Sequence, residues 1–505
     1  MLLAHDLGTT GDKASLHDDD GRLLAACTAA YDTDYGPGGR VEQDPHAWWD
    51  AFCAATRQLL SETGTPASAV IAVSFSGQMM GATLLDADHE PVRPSLIWAD
   101  TRSGRQADEV AAKVGEDEAY RILGHRLNPT YTLTKTMWVR DHEPEVFSRV
   151  RHVCAAKDYL VWRLTGRLVT DPSDASAMNA FDQHERTWST TVLDAAGLDA
   201  ALFPEIVPST HVAGTVSAAA AEQAGLTTGT AVVVGGGDGP MAAVGAGVTR
   251  PEDGPYVCLG TSSWISMTST EPVYDPQKAT MTFDHVRPGH FVPTATMQAG
   301  GGSLDWVADV LQPGRDAGRF DSLVAASRER AAASDGLYFL PYVLGERSPY
   351  WNPDARGTFV GLSRHHGPAE LTRAVLEGVG FNLLTCIEAF RATGVVVDAV
   401  DAVGGGAESD VWLQVLADQW GCVVRRRTVA GEGNSLGAAV TAGVAVGSVD
   451  DFAASRDLSQ VTAEFVPDPE RHAAYAEQHT WFEQAYEALV PWFSGVRRSL
   501  EPGAP

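Results

Sequence analysis

Lysine is scarce in this chain, with five residues against 32 arginines among 505. Acidic residues dominate the balance, giving a formal charge of −28. No broad basic surface exists, which argues against a nucleic-acid partner, because phosphate backbones require one. An anionic substrate must then be held by local backbone amides and a few cations. No apolar run reaches the roughly 18 residues of a membrane span. The start, MLLAHDLGTTGDK, lacks a basic stretch followed by a long apolar one, so no secretion signal is read there. The six cysteines (Cys27, Cys53, Cys154, Cys258, Cys386 and Cys422) are scattered without a CxxC pair. They form neither a disulfide framework nor a zinc site, and free thiols in a reducing cytoplasm are expected. The pattern GxxxxGK[ST] is also missing, which excludes a Walker-type phosphate loop.

What is present is an ordinary hydrophobic fraction of 44% in a chain long enough for two or three domains. The most informative stretch is Ala231–Gly245, AVVVGGGDGPMAAVG. A β-branched strand enters three glycines, and Asp238 follows where a helix should begin. Glycines there permit close approach of a ligand or backbone. A carboxylate at such a strand end can accept a proton from a bound hydroxyl. The same residue also suits a helix N-cap, with Pro240 in the first turn.

Along the chain, strands are expected at Leu2–Leu7, Ala69–Phe75, Thr230–Val234, Tyr256–Leu259 and Val397–Val403. Helical spacing marks Trp48–Leu60, Glu109–Leu123, Leu133–Asp141, Lys157–Leu164, Ala299–Leu311, a long amphipathic Ala369–Thr393, and Asn434–Val446. The turn-rich Val248–Pro255 is the best domain boundary. Each half opens with a strand and a Gly-Thr turn, DLGTTG at Asp6–Gly11 and LGTSSW at Leu259–Trp264. Each later shows a strand, a glycine triplet and a helix, VVVGGGDG and DAVGGGAESD. Two similar α/β lobes with a cleft between them are the expected architecture.

The Asp6–Ala14 turn has the composition of a phosphate hairpin. Gly8 and Gly11 allow a tight backbone, Thr9 and Thr10 add hydroxyls, and free amides can form an anion nest beside Lys13. Asp6 suits a hydrated magnesium, which prefers one or two carboxylates plus waters. An ordinary hairpin with a capping aspartate would read the same way. Gly260-Thr261 can touch the same phosphates from the other lobe. Gly404–Asp410 can cradle a nucleotide at a helix N-terminus, or be a cap with a packing glycine.

Taken together the chain resembles the FGGY carbohydrate kinase family from about Leu2 to Val446. The matching pieces, in order, include DLGTTGDKA, SFSGQMMGATLLD, IWADTR at Ile97–Arg102, KDYLVWRLTG, TDPSDAS, GGGDGPMAAVG, LGTSSW, GLYFLPYVLGERSPYWNPDARGTFVGL, LTRAVLEGVGF and GGGAESDVWLQVLAD. SGQM and ERSPYW resemble its xylulose kinase branch. The resemblance implies two actin-like, ribonuclease H-like domains with an active site between them. It divides the chain into 1–247, bearing sugar site and base, 254–446, bearing the nucleotide site, and a helical extension 447–505. It implies ATP-dependent phosphorylation of a sugar or polyol hydroxyl, with D-xylulose the first choice, ATP and magnesium as cofactors, and a homodimer. A sugar sensor without catalysis and an actin-like ATPase are the readings from other classes.

By the same resemblance Asp238 matches the catalytic base and Asp6 the magnesium and phosphate aspartate. Thr9, Thr10, Gly260 and Thr261 match positions around the triphosphate, with Lys13 the nearby cation. Gly301, Gly302 and Asp305 match the nucleotide-side helix, and Gly406, Ala407 and Asp410 the adenosine site. On the sugar side the branch usually reads SGQMHG, whereas Gln78, Met79 and Met80 stand here. A thioether is a weak acceptor and no donor, and a sugar hydroxyl left without its partner costs roughly 1–3 kcal/mol. Either another group takes over, with Trp98, Asp100 and Arg102 the candidates, or the substrate is another ketose or polyol. Met79, Met80 and Trp98 could equally be packing residues, and Asp100 with Arg102 a helix cap.

Overall fold

The computed structural model describes residues 1–314, 318–330, 333–428 and 433–500; the last five residues of the expected extension 447–505 lie outside these. The hydrophobic strand Leu2–Leu7 is central to a seven-stranded sheet. It pairs antiparallel with Gly11–His17 and parallel with Ala72–Gly77. Leu23–Ala30 extends the hairpin side; Ala231–Val233 and Val212–Thr215 complete the other side, and Gly236–Gly237 rejoins Ala72–Gly77. A second seven-stranded sheet repeats the plan. Its order is Met281–Asp284, Phe291–Met297, Ser263–Ser266, Tyr256–Leu259, Ala399–Val403, Val423–Arg427 and Val461–Phe465. Tyr256–Leu259 is antiparallel to Ser263–Ser266 and parallel to Ala399–Val403. The chain is therefore a two-domain α/β protein with one sheet at the heart of each lobe.

The lobes are joined by exchanged helices. Helix Gly433–Val446, which comes after strand Val423–Arg427 of the second sheet, sends Ala438, Ala439, Val440 and Ala442 against Leu2, Ala4 and Ala72 of the first sheet. Helix Asp238–Gly245, which comes after strand Ala231–Val233 of the first sheet, leads to Ala243, Ala246 and Val248 packing on Tyr256, Val292 and Val403 of the second. Small residues make this possible. A Cβ on Gly245 would lie 1.9 Å from Gly433 O, and one on Gly437 2.2 Å from Met241 O.

This plan corrects one expectation. The two glycine triplets are not equivalent. VVVGGGDG follows Ala231–Val233, two places out from the central strand Leu2–Leu7, whereas DAVGGGAESD follows Ala399–Val403, directly beside the central strand Tyr256–Leu259. The counterpart of Asp238 is Asn434, at the start of the exchanged helix in the other lobe. Two helical readings also change. Glu109–Leu123 is broken into Gly104–Val114 and Glu116–Leu123 at Gly115, whose φ of 89° only glycine adopts readily. Pro368–Ala392 is buried on nearly every face rather than amphipathic, because the second sheet and further helices surround it. The segment beyond Val446 contains a strand as well as helices; Val461–Phe465 pairs antiparallel with Val423–Arg427. No helix of the described residues is long and apolar enough to cross a membrane.

Candidate active site

Asp238 sits where the glycine triplet ends. Gly235 has φ 73°, and a Cβ there would lie 2.2 Å from Phe75 O. A Cβ on Gly237 would lie 2.6 Å from Met79 Sδ. Glycine is thus required for the segment to lie against its neighbour strand. Gly237 is the helix N-cap and Asp238 the first helical residue, so Asp238 is not the cap. Its Oδ1 accepts from the Gly239 amide at 2.8 Å. Burial, with the like charge of Asp6 added, pushes its carboxyl up to about 7. Behind the triplet the Gly237 amide donates to Ser173 Oγ at 2.9 Å. Ser173 in turn donates to Asp171, which Lys157 holds at 3.0 Å in a buried cluster with Asp158 and Asp174. This cluster fixes the floor on which Asp238 stands.

Asp6 ends the first strand. It accepts from Ser76 Oγ at 2.8 Å and, across the lobes, from Asn434 Nδ2 at 3.2 Å. Burial raises its carboxyl, the two hydrogen bonds and Lys13 opposing. The following turn is braced. Gly8 N donates to Gly11 O at 3.0 Å. Thr9 O accepts from Gln43 Nε2 at 2.6 Å and from Thr33 Oγ1 at 3.0 Å. Thr9 Oγ1 accepts from Trp98 Nε1 at 2.9 Å. Thr10 is exposed at the tip.

A cavity of about 220 Å³ opens between the lobes, with Asp238 in its wall. Met79, Met80, Trp98 and Gly239 line it from the first lobe; Ser262, Trp264, Thr294, Thr296, Arg347 and Asn434 line it from the second. It is smaller than the roughly 300 Å³ lower bound of drug-sized pockets, and its apolar walls with a few convergent polar groups suit a small hydroxylated guest. Met80 has φ 66°. Its carbonyl accepts from Lys135 Nζ at 3.1 Å, and its sulfur receives the Thr130 hydroxyl at 3.9 Å. Burial pulls the Lys135 ammonium down to about 7.

Asp100 and Arg102, expected as sugar contacts, are turned away from the cavity. Asp100 is fully buried and accepts from the Val41 amide at 2.9 Å and from Arg102 Nη2 at 2.6 Å. Arg102 also pairs with Glu42 and stacks over Trp138 at 4.2 Å. A buried charge must find a partner, and these two found each other. Gln78 likewise stands behind the wall, donating Nε2 to Gln43 Oε1 at 2.8 Å.

On the other lobe, Gly260 and Thr261 form the turn before Ser262. Gly301 N donates to Gly260 O at 2.7 Å and Gly302 N to Thr261 O at 2.9 Å. Both amides are engaged there instead of being free for phosphate, and a Cβ on Gly301 would lie 2.6 Å from Gly260 O. Asp305 is exposed on the helix that follows. Gly406 packs where a Cβ would lie 2.7 Å from the Trp412 ring. Ala407 O accepts from Arg426 Nε at 2.6 Å, and Asp410 pairs with Arg426 Nη2 at 2.5 Å. Asp410 faces a separate surface groove of about 580 Å³, which Arg328, Arg330 and Arg373 also line.

Sequence reasoning named none of Trp264, Thr294, Thr296, Arg347 or Asn434. Arg347 lies in the ERSPYW stretch and is half-buried at the cavity, with its buried Nε unbonded; an arginine beside a glutamate in that stretch was the available signal. Glu346, beside it, accepts from the Gln298 and Arg347 amides at 2.8 Å each, and burial pushes it up to about 8. Asn434 carried no local signal, because its partner Asp6 lies in the other lobe.

Comparisons with known proteins agree with this geometry. The FGGY family of carbohydrate kinases, N-terminal domain, matches residues 1–245, and the C-terminal domain of the same family matches residues 256–446. The chain is 34% identical to a xylulose kinase of Escherichia coli (strain K12), covering 97% of this chain and 99% of that protein. Among solved structures, a ligand-bound xylulose kinase from Lactobacillus acidophilus superimposes with a TM-score of 0.92 at 26% identity, covering 98% of this chain and 99% of that one. A gluconate kinase from the same organism matches with the same score, identity and coverage.

Proposed function

The chain belongs to the FGGY family of carbohydrate kinases, and we propose that it transfers the γ-phosphoryl group of ATP to the terminal hydroxyl of D-xylulose, giving D-xylulose 5-phosphate. The observation that carries this reading is Asp238: a carboxylate held near 7, at the wall of a small cavity between two lobes. The xylulose kinases among its full-length relatives choose the sugar.

In this mechanism Asp238 accepts the proton of the attacking hydroxyl, and Met79, Trp98 and Trp264 give the sugar an apolar seat. Arg347 and Thr296 offer donors to its other hydroxyls. The turn at Gly8–Gly11 of one lobe and the turn at Gly260–Thr261 of the other hold the triphosphate of ATP. Residues Gly404–Asp410 carry the adenosine end. The Asp6 carboxylate, whose charge helps raise Asp238 and which accepts from Ser76 and Asn434, fits a hard divalent cation. Magnesium held at Asp6, through water, would neutralise charge on the transferring phosphoryl group. Bringing the lobes together excludes water, a competing nucleophile, until sugar is seated. We assign residues 1–247 to the sugar and base side, 254–446 to the nucleotide side, and 447–505 to a C-terminal extension.

The test is ADP release by the purified chain with ATP and magnesium against D-xylulose, L-xylulose, ribulose, gluconate, ribitol and erythritol. D-xylulose should show the highest kcat/KM. A higher value for another compound would replace the assigned substrate, and no sugar-dependent release would remove the kinase reading.

A further inference from the structure

His479 lies on the C-terminal helix Pro469–Leu500, which packs along helix Pro368–Ala392. Its imidazole is 5% exposed, between the rings of Phe381 and Phe482. Nε2 is 2.9 Å from Thr385 Oγ1. That hydroxyl donates onward to Phe381 O at 3.2 Å, so the ring is the donor in the shared bond. Nε2 carries the proton and Nδ1 the lone pair.

Nδ1 faces Glu388 Oε2 at 3.6 Å, too far for a hydrogen bond. Glu483, one turn further along the same helix as His479, completes a triad whose nitrogen and oxygen atoms all lie within 4.8 Å of one another. Three electron-pair donors thus converge. An imidazolium would relieve this, but burial holds the ring down to about 4. Both carboxyls are raised, first by burial, and Glu483 further by Glu388 and Glu487. The nearby Arg391 donates its Nη2 to Val397 O and Trp420 O at 3.4 and 3.0 Å.

We propose that His479 Nδ1, Glu388 and Glu483 bind a divalent transition-metal cation, zinc, that clips the C-terminal helix to helix Pro368–Ala392. One imidazole nitrogen and two carboxylate oxygens are a suitable donor set for zinc. Ligands at about 2.1 Å from the ion are roughly 3.4 Å apart in a tetrahedral site, within reach of small carboxylate rotations. The Glu388 side chain is 49% exposed, which leaves a path for the ion and a fourth position for water. None of the three residues lines the interlobe cavity, so the site is separate from phosphoryl transfer. The other histidine cluster, Asp335, His365 and His366, has a different character. The Ser363 amide donates to His366 Nδ1 at 3.0 Å, which leaves the Nε2 proton for Asp335 at 3.1 Å. That set is satisfied without an ion.

The test is calorimetric titration of zinc chloride into chelator-treated, magnesium-free full-length protein, with thermal melting alongside. One equivalent should bind at micromolar zinc and raise Tm. The Glu388→Gln/Glu483→Gln double variant should lose affinity by more than about tenfold and lose the Tm rise. His365→Ala/His366→Ala should keep both. No binding by the native chain, undiminished binding by the glutamine variant, or its loss in the His365/His366 variant would each overturn the site.

Discussion

Asn434 donates its Nδ2 to Asp6 Oδ1 at 3.2 Å, a side chain of one lobe reaching the first strand of the other. Asn434 lies in the first turn of the exchanged helix Gly433–Val446, as Asp238 lies in the first turn of Asp238–Gly245. Two helix starts related by the repeated lobe plan therefore converge on one cavity, one with a carboxylate and one with an amide. The asymmetry makes chemical sense, because an acid at position 434 would add a third negative charge beside Asp6 and Asp238.

Asn434→Ala removes a donor from a buried carboxylate and a tie between the lobes. Hydrogen bonds to charged groups are worth about 1.5–3 kcal/mol, so kcat/KM should fall by roughly tenfold or more. Asn434→Asp should fall further. Steady-state kinetics with both substrates varied measures this; an unchanged Asn434→Asp would show that the charge balance at the cavity does not matter.

The pH dependence follows from Asp238. Its carboxyl titrates near 7 in the free protein and must be ionised to take a proton. Below that value it is protonated and idle. The profile of kcat/KM should therefore rise with pH through about 7 and level off above it, falling tenfold per pH unit on the acid side. An acid limb near 4 would place an ordinary exposed carboxylate in the role.

The same shift has a cost in stability. The folded carboxyl holds its proton to about 7 whereas an unfolded aspartate loses it near 3.8. Between those values the unfolded chain releases the proton first, so the raised group lowers stability as pH climbs from 4 to 7, with no further change above. Asp238→Asn does not titrate. Its Tm should exceed the native Tm by a few degrees at pH 8, and the difference should vanish near pH 4. A difference independent of pH would assign it to packing.

Met80 holds a positive φ of 66°, a conformation that histidine adopts more readily than most residues. Met80→His should fold and place a donor at the cavity wall. KM for D-xylulose should drop by roughly two- to tenfold, the worth of one neutral hydrogen bond. Unchanged KM would mean that Arg347 or the threonines already hold the hydroxyl nearest Met80.

The strands, the helix starts and the glycine-flanked aspartates were legible in the sequence because each depends on neighbours in the chain. Gly235 and Gly237 announce a tight approach, and Asp238 follows directly. The sugar wall was not legible in the same way. IWADTR reads as a strand end with polar residues, but whether Asp100 and Arg102 face the cavity or each other depends on Glu42 and Trp138, which lie far along the chain. Asn434 was invisible for the same reason, whereas Arg347 stood within ERSPYW and only the fold brings it to the cavity. The repeat was read one strand out of register because glycine triplets mark close packing wherever it occurs, after the strand beside the central one as well as after the next strand out.

The decisive measurement compares Asp238→Asn with the native chain, reading D-xylulose-dependent ADP formation and, separately, ATP binding by calorimetry. The variant should bind ATP with native affinity and lose turnover by about 10³-fold, within the range that a positioned proton acceptor supplies. Turnover within a few-fold of native would contradict the role of Asp238 and with it the proposed mechanism.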